Sequence, residues 1–418
     1  MGRLSEDCFA AGGMPMTVGE AQAMIAARIA PVADVESAPL AAAAGRVLAR
    51  DLRAAFPLPP HDSSAVDGWA VRFADLRPDG ETELPVGGRA AAGHALGRPI
   101  CPGEAIRIFT GAVMPAGADT VLMQEDCVAA AGRVRMPAGI AGGANRRLAG
   151  EDVAAGAVAL PAGRRLRPQD IGMAAALGNA AVPVCRRLRA AVLSTGDEIR
   201  MPGTALPPGA VYDANRYILA ALLTALGVVV DDLGVLPDDR AVIAAALTAS
   251  ARDHDLIVTS GGMSVGEEDH VRAAVEATGR LDFWRLAIRP GRPVALGRVG
   301  TAIFIGLPGN AVSAMVTFMT VARPIVLARA GAAPEPDRAY PVRAAFDHRK
   351  RQGRREYLRA RLEPGADGVP IVRRFPREGT GILSSMVESD GLVVLPEEME
   401  SLAAGSLVDF LPFSETLR

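Results

Sequence analysis

Three short segments of this chain combine small residues, hydroxyls and acids as an anion site requires. They are Ser194-Thr195-Gly196-Asp197-Glu198, then Ser260-Gly261-Gly262-Met263-Ser264-Val265-Gly266-Glu267-Glu268-Asp269, then Leu307-Pro308-Gly309-Asn310. Each follows an apolar run that reads as a strand. Glycine lets the backbone turn its amides toward a ligand, and helix starts favour anions. One such loop is weak evidence, because Gly-rich strand-to-helix turns are common without a ligand. Three at one sheet edge point to a phosphate-bearing ligand. Asp197, Glu198, Asp213 and Asp269 lie at or near that edge. Two carboxylates about 4 Å apart repel by about 4 kcal/mol at an effective dielectric of about 20. Acids beside a phosphate therefore call for a hard cation such as Mg²⁺. Helix capping explains Asp197 or Asp213 equally well, whereas Glu198 and Asp269 read as functional.

A second chemistry follows in FWRLAIRPGRP, which carries Arg285, Arg289 and Arg292. Pro290, Gly291 and Pro293 stiffen the loop around Arg289 and Arg292. Guanidinium forks suit tetrahedral oxyanions. Upstream, SSAVDGWAV sets Asp67 among apolar residues, where a lone acid in a turn is the bland reading.

These loops need a scaffold. Residues 17–30 read as a helix opened by Thr17 and Glu20 at capping-box spacing. A second, Ala-rich helix is expected near Leu40 to Leu52, before Pro57, Pro59 and Pro60 break the chain. From about 61 to 147, short apolar stretches alternate with Gly and Pro turns, which predicts a small β-rich unit. Within 148–185, a short helix is expected with Pro168 at its first turn and Gly178 at its end. From 186 to 333 strand and helix alternate, with Asn215 a plausible N-cap, which predicts an α/β domain with a largely parallel sheet. Ligands in such sheets sit beyond the carboxyl ends of the strands. Residues 334–418 return to short strands and turns.

The bulk numbers narrow the choice. A length of 418 residues predicts three or four domains. Half of the residues are hydrophobic and 4% aromatic, so the cores must be aliphatic. The net charge of −2 does not suit a nucleic-acid binder. Lys350 is the single lysine, which disfavours Schiff-base and P-loop chemistry. Cys8, Cys101, Cys127 and Cys185 have no zinc spacing, and idle thiols suit a reducing compartment. Glu6 and Asp7 in the first segment do not suit a secretory signal. No run is expected to approach the roughly 18 apolar residues that cross a bilayer. The expectation is a cytoplasmic protein with no nucleic acid or membrane partner.

SSAVDGWAV, RIFTGAVMPAGADTVLMQE, GEDV, STGDEI, YDANRYIL, GGMSVGEEDH, FWRLAIRPGRP and LPGNAVSA occur in this order. Together they resemble the molybdopterin molybdenumtransferase family, which includes bacterial MoeA proteins and the E domain of gephyrin, over about Thr17 to Pro396. The resemblance implies a multidomain α/β protein. A molybdopterin-binding-type α/β domain would span 186–333. A split helical and mixed domain would comprise 17–60 and 148–185, with a β-rich domain, 61–147, inserted in it. A β-barrel-like domain would follow over 334–418. It implies a homodimer whose cleft joins the α/β domain of one subunit to the β-rich domain of the other, and other molybdenum cofactor biosynthesis proteins as partners. It also implies the reaction: adenylylated molybdopterin and molybdate enter, AMP leaves in the presence of Mg²⁺, and the dithiolene takes up molybdenum. Asp67, Glu198 and Asp269 would be catalytic and, with Asp152, hold the metal. Thr110, Thr195, Gly196, Asp213, Gly261, Gly262, Ser264, Gly266 and Pro308 would line the substrate. Arg289, Arg292, Pro293 and Ser313 would seat molybdate, with Arg359 and Ser385 adding to that pocket.

Two departures stand out. The family's basic loop commonly reads K-P-G-K-P, and Arg289 and Arg292 replace both lysines, keeping charge but not geometry. Ala311 follows LPGN where the family favours proline. Two rival functions fit less well. An enzyme that adenylylates molybdopterin would share the α/β domain alone. A peptide-binding scaffold would carry a fused partner domain or a long linker.

Overall fold

The computed structural model describes residues 15–261, 270–291 and 293–416. Gly262, Ser264, Gly266, Asp269 and Arg292 lie outside the described residues. The first helix, Val18–Arg28, starts at the expected capping box. Glu20 N donates to Thr17 Oγ1 at 3.2 Å, and Thr17 N donates to Glu20 Oε2 at 2.8 Å. Its inner face, Val18, Ala21 and Ile25, joins the main core.

The helix expected near Leu40 to Leu52 is overturned, since only Leu40–Ala43 is helical. Gly45 takes φ +75° and ends it, and Val47 and Leu48 then bridge to Arg165 and Val184. The strand just before, Val35–Pro39, pairs with Ala181–Cys185. Ala43, Leu48 and Leu52 gain burial against Leu166, Ala174 and Val184, and that packing outweighs the helix preference of alanine. The helix Pro168–Ala176 does form with its proline at the start and Gly178 at φ +77° beyond its end. Residues between these two halves build a six-stranded sheet ordered Thr120–Met123, Gly68–Val71, Ala105–Ile108, Thr82–Ala90, Arg133–Met136, Val128–Ala130.

The α/β sheet is also six-stranded, ordered Val229–Leu236, Arg189–Thr195, Leu256–Ser260, Ala302–Leu307, Pro293–Val299, Gly279–Arg285. The first four run parallel and the last two are antiparallel additions. Leu256–Ser260 and Ala302–Leu307 are buried throughout, as strands covered on both faces must be. Gly279–Arg285 was not foreseen as a strand. Ala311–Arg329 is one continuous helix with a π turn at Phe318–Ala322. It corrects the expectation about apolar runs. By length and composition its 19 residues could cross a bilayer, but 67% of that stretch is buried inside the fold. Val312, Val316, Phe318 and Ile325 spend their apolar surface on the main core instead.

The C-terminal strands close into a ring. Arg355–Glu363, Ile371–Arg374, Tyr340–Ala344, Leu407–Pro412 and Gly391–Leu395 follow one another, and Gly391–Leu395 returns to Arg355–Glu363. Closure leaves no free edge within this five-stranded barrel. Ile288–Arg289, from the Arg-Pro-Gly loop, adds in parallel to Arg355–Glu356 and docks the α/β domain on the barrel.

Candidate active site

The described parts of the three foreseen loops, with Ser260 and Gly261 standing for the second, meet at one edge. Parallel register sets Ser194 beside Ser260, and Ser260 beside Leu307. Gly261 N donates to Leu307 O at 3.0 Å, and Ser260 Oγ donates to Pro308 O at 2.9 Å. A Cβ on Gly309 would lie 3.5 Å from Gly261 Cα, so these loops pack glycine to glycine. Asn215 was expected as an N-cap, and the structure corrects this. It is the first residue of the helix Asn215–Ala225, and its Nδ2 donates to Ser260 Oγ at 2.8 Å and Gly309 O at 2.6 Å. The freed capping role falls to Asp213, whose Oδ1 accepts from Arg216 N at 3.1 Å.

The acids at this edge are in different situations. Asp213 is buried and spends its charge on Arg216, 2.9 Å away. Arg216, only 1% exposed, also pairs with Asp232. Of its two readings, the structural one fits this geometry. Glu198 is exposed, and its Oε2 would lie 2.6 Å from a Cβ on Gly196, which sits at φ +133°. The glycine therefore leaves the carboxylate room to fold back over the strand end. Asp197 is exposed as well, and Thr195 is buried at the end of its strand.

Asp67 precedes the strand Gly68–Val71. A Cβ on Gly68 would collide with the Leu122 carbonyl, which accounts for the glycine beside this acid. Thr110 fixes the side chain, donating to Asp67 Oδ1 from its amide at 2.8 Å and its hydroxyl at 2.7 Å. The Thr110 amide first, then its hydroxyl, hold the Asp67 carboxyl below its ordinary range, with Arg107 adding to the effect. Behind Asp67, Arg107 stacks on Phe109 at 4.6 Å and donates to Gly68 O at 3.0 Å.

A cavity of about 220 Å³ opens where the Arg-Pro-Gly loop meets the barrel. Arg289, Arg359, Arg374 and Arg377 line it with Tyr357 and Glu378. Arg359 Nε donates to Ser385 Oγ at 3.1 Å, and its Nη2 to Gly379 O at 3.2 Å. Burial pulls the Arg359 guanidinium below its ordinary range and pushes the Tyr357 phenol up to about 12. Gly291, at φ +94°, lies against the helix Ala311–Thr317, where any Cβ would strike Thr317 Oγ1. Ser313 is buried beneath this loop. Val312 N donates to Thr380 O at 3.1 Å, which ties the same helix to the far wall of the cavity.

Comparison with known proteins places this fold in a family. Residues 16–178 match the MoeA N-terminal region (domain I and II), 191–328 a probable molybdopterin binding domain, and 341–413 the MoeA C-terminal region (domain IV). The molybdopterin molybdenumtransferase of Haemophilus influenzae is 35% identical over 404 residues, covering 96% of this chain and 100% of that protein. The chain belongs to the molybdopterin molybdenumtransferase family. Molybdopterin molybdenumtransferase 2 of Mycobacterium tuberculosis is 37% identical over 380 residues, covering 88% of this chain and 92% of its own. A solved molybdopterin biosynthesis MoeA protein of Pyrococcus horikoshii superposes with a TM-score of 0.80 at 29% identity, covering 95% of this chain and 100% of that one.

Within this family member the expected site residues fall into separate groups. Thr195, Gly196, Glu198, Gly261 and Pro308 share the sheet edge, and Arg289 and Arg359 share the arginine cavity, with Ser385 buried behind Arg359. Asp67 and Thr110 form their own pair on the β-rich sheet. Asp152 is exposed on a turn whose N–H donates to Leu58 O at 3.0 Å. Pro293 opens a strand and is exposed. Among the described residues no three His, Cys, Asp or Glu side chains converge as a metal site. The donors suit a hard cation, since Asp67 is an ionised carboxylate with Oδ2 outside its bonds to Thr110, but one chain's described acids do not surround an ion.

Sequence reasoning missed Arg374, His348, Glu356 and Glu378. Arg374 carried a signal. It lies two residues after the buried Val372 on one strand, so both point to the same face. Glu356 carried none, because its partners Arg289 and His348 come from other elements.

Proposed function

We propose that this chain transfers molybdenum from molybdate to adenylylated molybdopterin, with hydrolysis of the phosphoanhydride and release of AMP. The observation that carries this reading is the cavity in which Arg289 from the α/β domain and Arg359 from the barrel face one space, in a member of this family. Guanidinium groups fixed by Ser385 and by backbone carbonyls are pre-set for a tetrahedral dianion such as molybdate. Arg292, Ser313 and Pro293 complete that seat in this reading. Thr195, Gly196, Gly261, Gly262, Ser264, Gly266, Thr110 and Pro308 receive the pterin phosphate and its adenylyl group, with Asp213 holding the edge behind them. Asp67, Asp152, Glu198 and Asp269 would hold Mg²⁺, which would neutralise charge at the pyrophosphate when bound. A homodimer supports this set, because a second copy can bring Asp67 and Thr110 to the sheet edge of the first. The four-domain division at 17–60 with 148–185, 61–147, 186–333 and 334–418, a cytoplasmic location, and contact with other molybdenum cofactor biosynthesis proteins belong to the same proposal.

Purified protein mixed with adenylylated molybdopterin, molybdate and Mg²⁺ tests it. Molybdate-stimulated AMP release with metal bound to the pterin is the expected result. Tight binding without AMP release would leave the pocket but remove the transfer reaction.

A further inference from the structure

The arginine cavity already contains an anion of its own. Glu378 Oε1 lies 3.0 Å from Arg374 Nη2, and Glu378 Oε2 lies 3.4 Å from Arg289 Nη2. One carboxylate thus spans two guanidinium groups from different domains, as two oxygens of a tetrahedral oxyanion would.

Both arginines are also anchored without it. Arg374 Nη1 lies 2.8 Å from His348 Nδ1, and a guanidinium can only donate, so Nδ1 presents its lone pair. The imidazole hydrogen is then on Nε2, which donates to Glu356 Oε2 at 3.0 Å. Glu356 also lies 3.6 Å from Arg289 Nη1. The two carboxylates differ in setting: the Glu356 side chain is 0% exposed and the Glu378 side chain is 60% exposed. The buried one holds the arginines, directly or through His348. The exposed one can leave without freeing either.

We infer that Glu378 is the displaceable counter-ion of this cavity, occupying the place of the oxyanion until one enters. The inference rests on the oxyanion seat proposed above. It makes Glu378 a specificity-determining residue: each entering anion must outcompete a carboxylate, which favours dianions over monoanions and lowers affinity for all of them. A purely structural Glu378, needed to hold Arg289 and Arg374 in place, predicts the opposite sign.

Calorimetric titration of the full chain with molybdate, and separately with sulfate, distinguishes these. Glu378→Gln and Glu378→Ala, each with an unchanged melting temperature, should bind both dianions about fivefold more tightly than the natural chain. Equal or weaker binding by both variants, with the natural chain still binding molybdate, would overturn the inference and leave the seat intact. If none of the three proteins binds molybdate, the seat and its counter-ion both fall.

Discussion

The arginine cavity and the acidic edge are built on different plans. In the cavity Arg289, Arg359 and Arg374 each bond to polar groups of the same chain, and the buried Glu356 ties Arg289 and, through His348, Arg374 to the barrel. At the edge the loops are bonded to one another through Asn215 and Ser260, while Glu198 is exposed at the strand end and Asp67 lies on another sheet. The cavity is complete as one chain folds. The described acids of one chain do not form a set, and in the proposed function a cation and a second copy would assemble them. On the proposed function, preorganised charge serves the oxyanion and assembled charge the phosphate chemistry.

The largest expected effect tests the assembled half. Asp67→Asn should lower AMP release by about a thousandfold or more with an unchanged melting temperature, because the hydrogen bonds of this side chain come from Thr110 and an amide oxygen can still accept them. Activity near the natural level would remove Asp67 from the chemistry. Glu356→Gln probes the preorganised half. It leaves Arg354 at 3.0 Å and Arg289 at 3.6 Å without their shared counter-charge. A loss of about 3 kcal/mol in chemical denaturation is expected, together with weaker molybdate binding. Stability without change would show that the barrel seam does not depend on this charge.

Arg359→Ala should raise the KM for molybdate about thirtyfold while kcat changes little, since the guanidinium contacts Ser385 and backbone carbonyls but no group at the strand-end edge. An equal fall in kcat would instead join the two regions into one unit. The smallest effect is a control outside both regions. Asp170 is 3% exposed and paired with Arg164 at 2.8 Å and Arg167 at 3.1 Å. Burial opposes its charge, but these arginines outweigh burial and bring the carboxyl down to about 2. A lowered folded-state value stabilises above the unfolded value of 3.8, and that stability is lost as pH falls toward about 2. Asp170→Asn should cost about 1 to 2 kcal/mol at neutral pH, and the difference should vanish in acid, with KM unmoved. A constant difference across pH would show that the charge is not its source.

What could be read from the sequence follows the same divide. Local signals were legible: the Thr17–Glu20 capping box, the proline and glycine bounding Pro168–Ala176, and the strand-loop-helix rhythm that sets three glycine loops at one edge. Signals that depend on distant partners were not. The Ala-rich stretch after Leu40 looks helical until strands from beyond residue 150 compete for it. Asn215 has a cap's identity, but Asp213 takes the cap and frees the amide to bind two other loops. Arg359 and Ser385, 26 positions apart, meet because the barrel closes. Arg374 carried only its place two residues after Val372 and Glu378 carried no local signal, and both come to face Arg289 because Ile288–Arg289 docks on the barrel.

That barrel has a consequence for biosynthesis. Leu407–Pro412 pairs on one side with Tyr340–Arg343 and on the other with Gly391–Val394. A chain leaves the ribosome amino end first, and domains fold as units while it does. The parallel strands Arg189–Thr195, Leu256–Ser260 and Ala302–Leu307 can thus assemble while Leu407–Pro412 is still in the exit tunnel, but the ring cannot close until that strand emerges. On the proposed function, a nascent chain whose synthesis has not reached Leu407–Pro412 would hold the parallel sheet and, around Arg359 and Ser385, a barrel still open on one side.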